Sequence, residues 1–190
     1  MDIAIQGASG KKIPNALLGM ILFLTVEVML FAGFISAYTV NRATAAVWPP
    51  YSQPRLPIEI TFVNTLVLLA SGITAFLFAR QYKRSAKMTL LYVTILLGII
   101  FLSIQGSEWA KLISYGLTTS SSLYGAFFYT IIGAHAVHAV AGLVILLYLL
   151  NKLQRSSDLQ DKQETIVVCN LYWYFVVGIW PVLYVLVYLL

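Results

Sequence analysis

Six side chains in this sequence combine a chemically capable group with an apolar setting: Glu27, Asn64, Gln105, Glu108, His135 and His138. Glu27 is the one carboxylate in "LTVEVMLFAGF" (24–34). An ionised carboxylate in hydrocarbon costs several kcal/mol, so it must be neutral, paired, or turned toward a polar interior. His135 and His138, the only histidines, lie in "IIGAHAVHAVAG" (131–142). Three residues apart, they share a helical face that Gly142 continues. Gln105 and Glu108 repeat that spacing in "LSIQGSEWAKL" (102–112), and Asn64 sits beside Thr65 in "VNTLVLLASG" (63–72).

Two histidines on one face, with carboxylates from other helices, form a familiar ligand set for zinc or iron. The E-x-x-H pairs of di-iron bundles are missing, however, and two histidines on one helix cannot clamp the same haem iron. The six residues are therefore read as an intramembrane polar site, with no metal, cofactor-binding or catalytic residue assigned. Interhelical hydrogen bonds are worth about 0.6 kcal/mol on average in bilayers, reason enough for an amide or an imidazole. A carboxylate is a costly way to make one, which gives Glu27 a functional reading beside the structural one. Nucleophilic catalysis has no support: there is no G-x-S-x-G elbow, phosphate-binding glycine loop or H-E-x-x-H. Asp158 and Asp161 fall in a polar connection, so paired intramembrane aspartates are lacking as well.

These residues need elements to hold them, and the composition says which. Of 190 residues, 60% are hydrophobic and 10% charged, against roughly a quarter charged in soluble domains. That depletion points to a bilayer as solvent. Five apolar runs, about 15–40, 58–80, 88–107, 123–150 and 165–190, each reach the roughly 20 residues that span hydrocarbon as a helix. The expected architecture is an all-α integral membrane bundle of five transmembrane helices in a single domain, 1–190. The first run lacks a small-residue cleavage site and is read as a span, not a removable signal. Breaks fall at proline-rich "WPPYSQPRLP" (48–57), basic "RQYKRSAK" (80–87) and polar "NKLQRSSDLQDKQE" (151–164). The fourth span is rich in small residues, including Gly125, Gly133, Ala139 and Gly142, that permit close helix approach.

Charge orients the bundle. Lys11, Lys12, Arg80, Lys83, Arg84, Lys87, Lys152, Arg155 and Lys162 fall on one side of a five-span chain, and Arg42, Arg55 and Lys111 on the other. Nine against three places the N-terminus in the cytoplasm and the C-terminus outside. The net charge of +5 thus reflects topology; no basic block interleaved with aromatics indicates nucleic acid. Cys169, the sole cysteine, can form neither an internal disulfide nor a thiolate metal site.

In order, "EVMLFAGF", "WPP", "NTLVLLASGIT", "LLGIIFLSIQGSEW", "YGAFFYTIIGAHAVHAVAGLV" and "YWYFVVGIWPVLYVLVYL" resemble subunit III of the haem–copper oxidases, across all five spans. The resemblance implies the five-helix bacterial form of a family that typically has seven helices. It implies a non-catalytic subunit of a terminal oxidase in a bacterial inner membrane, stabilising the catalytic subunit and supporting oxygen access and proton uptake. Subunit I would be its main contact, with subunit II and membrane lipids as further partners. Haem and copper would belong to those partners, and bound phospholipid to this chain. Glu27 stands where the family carries the carboxylate attacked by hydrophobic carbodiimides; His135 and His138 match its H-x-x-H, and Gln105 and Glu108 its Q-x-x-E. One departure is plain. Where the family usually reads "YWHFVDVVW", this chain has "YWYFVVGIW" (172–180), with Tyr174 for the histidine and Val177 for the aspartate, so any role of that pair does not carry over.

Two other readings stay open on sequence: a subunit-III-like accessory protein of nitric oxide reductase, and a small proton-coupled transporter using Glu27 as carrier. The transporter reading sits poorly with uninterrupted spans, since transporters favour broken helices and paired repeats.

Overall fold

The computed structural model describes residues 14–51, 53–82, 88–155 and 159–190. Five helices follow in order: α1 (Asn15–Thr44), α2 (Ile58–Tyr82), α3 (Thr89–Ser114), α4 (Leu123–Arg155) and α5 (Leu159–Leu183). All five are long and apolar enough to cross a membrane, and no strand occurs among the described residues. α5 runs on through a π-helical turn, Tyr184–Leu189. Pro181, inside the helix, has no N–H to give residue 177, and the ladder beyond it widens until Leu190 N–H bonds to Val185 O at 3.0 Å.

Several helices overrun the hydrophobic runs. α3 extends to Ser114 where hydropathy stops at about 107, and α4 and α5 take in most of the polar stretch 151–164. Helices keep their backbone bonds internally, so they can continue past the bilayer with those bonds intact, whereas hydropathy marks only the hydrocarbon slab. Lys152 Nζ of α4 meets Asp161 Oδ1 of α5 at 2.9 Å. Arg80, Lys152, Arg155 and Lys162 lie at this end of the bundle and Arg42, Arg55 and Lys111 at the other. Lys11, Lys12, Lys83, Arg84 and Lys87 lie outside the described residues.

α2, α3, α4 and α5 close into a ring, each packing on the next and α5 returning to α2, while α1 leans mainly on α5 and α4 from outside. The buried face of α2 gathers polar side chains beside Leu68, Ala75 and Phe78. Thr61, Asn64, Thr65 and Ser71 face inward, while Ile60, Phe62, Val63, Leu66 and Ile73 are exposed. That inverts the soluble pattern, because lipid attracts apolar side chains as well as a protein core does and leaves hydrogen bonding and close fit to hold helices together. The indole of Trp173 on α5 fills the ring's centre. Its Nε1 donates to Ser71 Oγ at 3.2 Å on α2. Its edge lies so close to Gly98 on α3 and Gly142 on α4 that a Cβ at either would come within 2.9 Å of it.

α3 ends in a Schellman motif: Gly116 N–H bonds to Ile113 O and Leu117 N–H to Leu112 O, both at 3.0 Å. Leu112 and Leu117 are both buried, giving the apolar contact that accompanies this motif. Gly116 has φ +90°, and a Cβ there would meet nothing within 4 Å. Gly116→Ala is therefore expected to cost only the backbone strain, about 1–2 kcal/mol, in equilibrium unfolding of the purified protein. Ser122 opens α4 by accepting the Gly125 N–H at 3.1 Å on its hydroxyl.

Candidate functional site

The face of α1 that meets the bundle is set by Leu24, Phe31 and Tyr38, seven residues apart, with Glu27 on the same seam. A carboxylate at that register must face another helix, and α4 meets it. Glu27 Oε2 lies 2.8 Å from His138 Nε2, each side chain about 14% exposed. The other ring nitrogen, Nδ1, lies 2.7 Å from the carbonyl of Ala134 one turn back on α4.

This arrangement fixes the proton count. A carbonyl can only accept, so Nδ1 carries a hydrogen, and a neutral ring then has its lone pair at Nε2. The 2.8 Å contact to Glu27 holds one proton in either of two ways. A neutral carboxyl donates to a neutral imidazole, or an imidazolium donates to a carboxylate. Both have net charge zero. Losing that proton would set a lone pair against a carboxylate at depth, and gaining another would leave an uncompensated cation. With a single shared proton, either arrangement of the contact leaves the pair without net charge.

Aromatic rings enclose it. Phe31 lies 5.3 Å and Phe175 6.2 Å from the His138 ring, with 6.0 Å between the two phenyl groups. Tyr172 on α5 donates its hydroxyl to the carbonyl of His138 at 3.3 Å. Three helices therefore converge on this residue.

His135 does not join the pair. Three helical residues advance 300°, so the two rings diverge by about 60°, which at a seam is enough to reach different neighbours. His135, 1% exposed, lies against Trp180 at 4.8 Å and Phe101 at 6.0 Å. Its ring nitrogens have no partner among the described residues. The H-x-x-H spacing thus divides between the α1 contact and the interior of the ring. Gly142 continues the stripe as seating for Trp173 and Tyr172.

The other expected residues lie toward the end carrying the α1–α2 and α3–α4 loops. Gln105 Nε2 donates to Tyr188 Oη at 3.2 Å; Glu108, 4% exposed, takes Lys111 Nζ at 3.1 Å; Asn64 Nδ2 donates to the Phe101 carbonyl at 3.1 Å. They are interhelical or rim contacts, separate from the Glu27 pair. Two further contacts were marked by no spacing: Trp180 Nε1 donates to Thr65 Oγ1 at 2.9 Å near that same end, and Thr74 and Thr94 share a 2.8 Å bond between α2 and α3 in the other half of the bundle. The signal available for Trp180 and Trp173 was their type, since a buried indole N–H must find an acceptor. Val177 packs on Gly72 of α2, so the position where the family has its aspartate is an apolar helix contact. Among the described residues, no group of three or more His, Cys, Asp or Glu could hold a metal ion.

Comparison with known proteins gives a consistent result. The family model described as cytochrome c oxidase subunit III matches residues 1–190. A probable cytochrome c oxidase subunit 3 of Mycobacterium leprae is 33% identical over 180 residues, covering 92% of this chain and 88% of that one. The cytochrome c oxidase subunit 3 of Corynebacterium diphtheriae is 32% identical over 192 residues, 97% and 93% of the two chains. The Synechocystis protein of the same name is 32% identical over 176 residues, 90% and 74%.

Proposed function

Because the chain belongs to the cytochrome c oxidase subunit III family, we propose that it serves in a terminal oxidase as a non-catalytic, multi-pass membrane subunit beside the haem- and copper-bearing subunit I. The observation that carries the reading is the end-to-end match, with Glu27 and His138 joined at its centre. In this reading subunits I and II and membrane lipids are the neighbours. The described N-terminal helix starts from the cytoplasmic side, in bacteria that of the plasma membrane, as the distribution of basic residues favours.

The chain's own chemistry is to keep one proton at depth without net charge and to dock α1 on the ring. Burial makes an ionic or hydrogen-bonded contact between these groups stronger than it would be in water. An apolar seam closed by a neutral pair keeps water out of the bundle while leaving a group that can lend or take up a proton when a neighbour does the reverse. Support for oxygen access and proton uptake by the catalytic subunit is the function proposed for it.

A mild-detergent pull-down of the tagged chain from its native membrane tests the assignment. A haem spectrum with a large catalytic subunit is the expected result; a colourless chain alone would end the oxidase reading. A second measurement addresses the pair. A lipid-soluble carbodiimide, which needs a protonated carboxyl in an apolar place, is expected to label Glu27 selectively and slowly. The exposed Glu59 is expected to be spared. Labelling of Glu59 with Glu27 untouched would contradict a proton resident at the pair.

A further inference from the structure

The contacts of Trp173 define a level inside the four-helix ring, and the helices repeat that level two turns nearer the loops. Seven residues advance a helix by about 10.5 Å and return it to within roughly 20° of the same face. Counted toward the end carrying the α1–α2 and α3–α4 loops, Ser71, Gly98, Gly142 and Trp173 give Asn64, Gln105, His135 and Trp180. The contacts agree with the count. Trp180 lies 4.8 Å from the His135 ring and donates to Thr65, and Asn64 donates to the Phe101 carbonyl. Between the two levels stand Leu68, Phe101, Ala139 and Val176, each at most 1% exposed, an apolar band that separates His135 from Ser71.

At the His135 level, donors and acceptors do not balance within the protein. Whichever tautomer it adopts, a neutral imidazole presents one N–H and one lone pair. Both ring nitrogens of His135 are buried without a partner among the described residues, and so is Oδ1 of Asn64. Neighbouring donors are already engaged. Asn64 Nδ2 is held by the Phe101 carbonyl, Trp180 Nε1 by Thr65, the Thr65 hydroxyl by the Thr61 carbonyl, and Gln105 Nε2 by Tyr188. Buried polar atoms are almost always paired in folded proteins, with protein or with ordered water. α2 and α4 occupy opposite corners of the ring, so the amide oxygen and the imidazole enter one interior from two sides.

An imidazole N–H and an amide oxygen across an interior are paired by a small neutral molecule that donates and accepts together. A cation meets no carboxylate at this level, an anion meets no charged donor, and an apolar molecule leaves all three atoms unpaired. We propose that His135 and Asn64 hold an internal water, which donates to Asn64 Oδ1 and completes the hydrogen bonding of the imidazole. Buried waters typically make about three hydrogen bonds to groups of this kind. The water braces α2 against α4 through the middle of the ring. Its route in is from the loop end, where Thr61 and Glu108 stand one turn beyond Asn64 and Gln105.

The test uses the full chain in the complex with which it purifies, imaged at a resolution that shows ordered water. The expected map has a water-sized peak within hydrogen-bonding reach of a His135 ring nitrogen and of Asn64 Oδ1, lost in His135→Leu. Thermal unfolding gives an independent reading of opposite sign for the two cases. With water bound, His135→Leu strands Asn64 Oδ1 and its water, and the unfolding temperature falls. In a dry site the same substitution removes two unpaired nitrogens and packs leucine against Trp180 and Phe101, and the temperature rises. A wild-type map in which only protein or lipid atoms close on both ring nitrogens would overturn the proposal, as would a His135→Leu variant more stable than wild type.

Discussion

His138→Leu is expected to destabilise the docking of α1 by about 1–3 kcal/mol, more than any other single change at the site. Leucine fills much of the imidazole volume, so little of the effect comes from a void. What is lost is the hydrogen-bond partner of Glu27, and a buried polar group left unmatched carries its full desolvation penalty. Protonation of Glu27 limits the damage; an ionised carboxylate without its partner would cost more. The double replacement Glu27→Leu/His138→Leu is expected to recover most of the loss, because two apolar side chains can pack where a neutral pair did. Glu27→Gln, whose amide can donate to Nε2, should stay within about 1 kcal/mol of wild type. Reversible unfolding in mixed micelles, read as a double-mutant cycle, supplies the three numbers. A single replacement as mild as a surface change, within about 0.5 kcal/mol, would mean the pair contributes nothing to docking.

Trp173→Ala should weaken the bundle further, by about 3 kcal/mol or more, the figure for losing a large aromatic from a close-packed interior. The indole touches α2 through Ser71, α3 through Gly98 and α4 through Gly142, so its loss opens a void at the centre of the ring. Lipid cannot enter such a void, and the dispersion contacts of its lining are forfeited outright. The complementary change is Gly142→Val. Its Cβ would fall 2.7 Å from Trp173 Cε3, a rigid ring pinned at its nitrogen, so backbone must move. Overpacking of this kind costs about 1–3 kcal/mol. Thermal unfolding of the two variants should show both below wild type. If Gly142→Val matched wild type, the indole would have room that its contacts do not indicate.

The number of helices was legible because hydrocarbon demands long apolar runs, and five such runs are plain in the chain. Their ends were less so. Residues such as Glu108 and Lys111 are polar yet helical, since the backbone ladder does not stop where the lipid does. Glu27 announced itself through the cost of its setting, but its partner did not. His135 and His138 look alike in the sequence, and only the meeting of α1 with α4 distinguishes the one that holds a proton from the one that stacks between aromatic rings. Nor does any periodicity mark α1's inward face, because nearly every residue on it is apolar and lipid accepts them all. Leu24, Phe31 and Tyr38 become a seam only in the presence of the other helices. The same holds for Trp173, whose neighbours come from three separate spans.

The position of α1 outside the four-helix ring has a consequence for how the chain is made. Glu27 and His138 are 111 residues apart, and both α4 and α5 must be in the bilayer before the surface that receives α1 exists. At about 5–20 residues per second, a ribosome needs roughly 6–22 s to travel from one to the other. During that interval the first helix waits among lipids with its carboxylate unmatched. The last step of maturation is then a lateral capture, in which the side chain that has waited longest for a partner supplies the bond that keeps its helix in place.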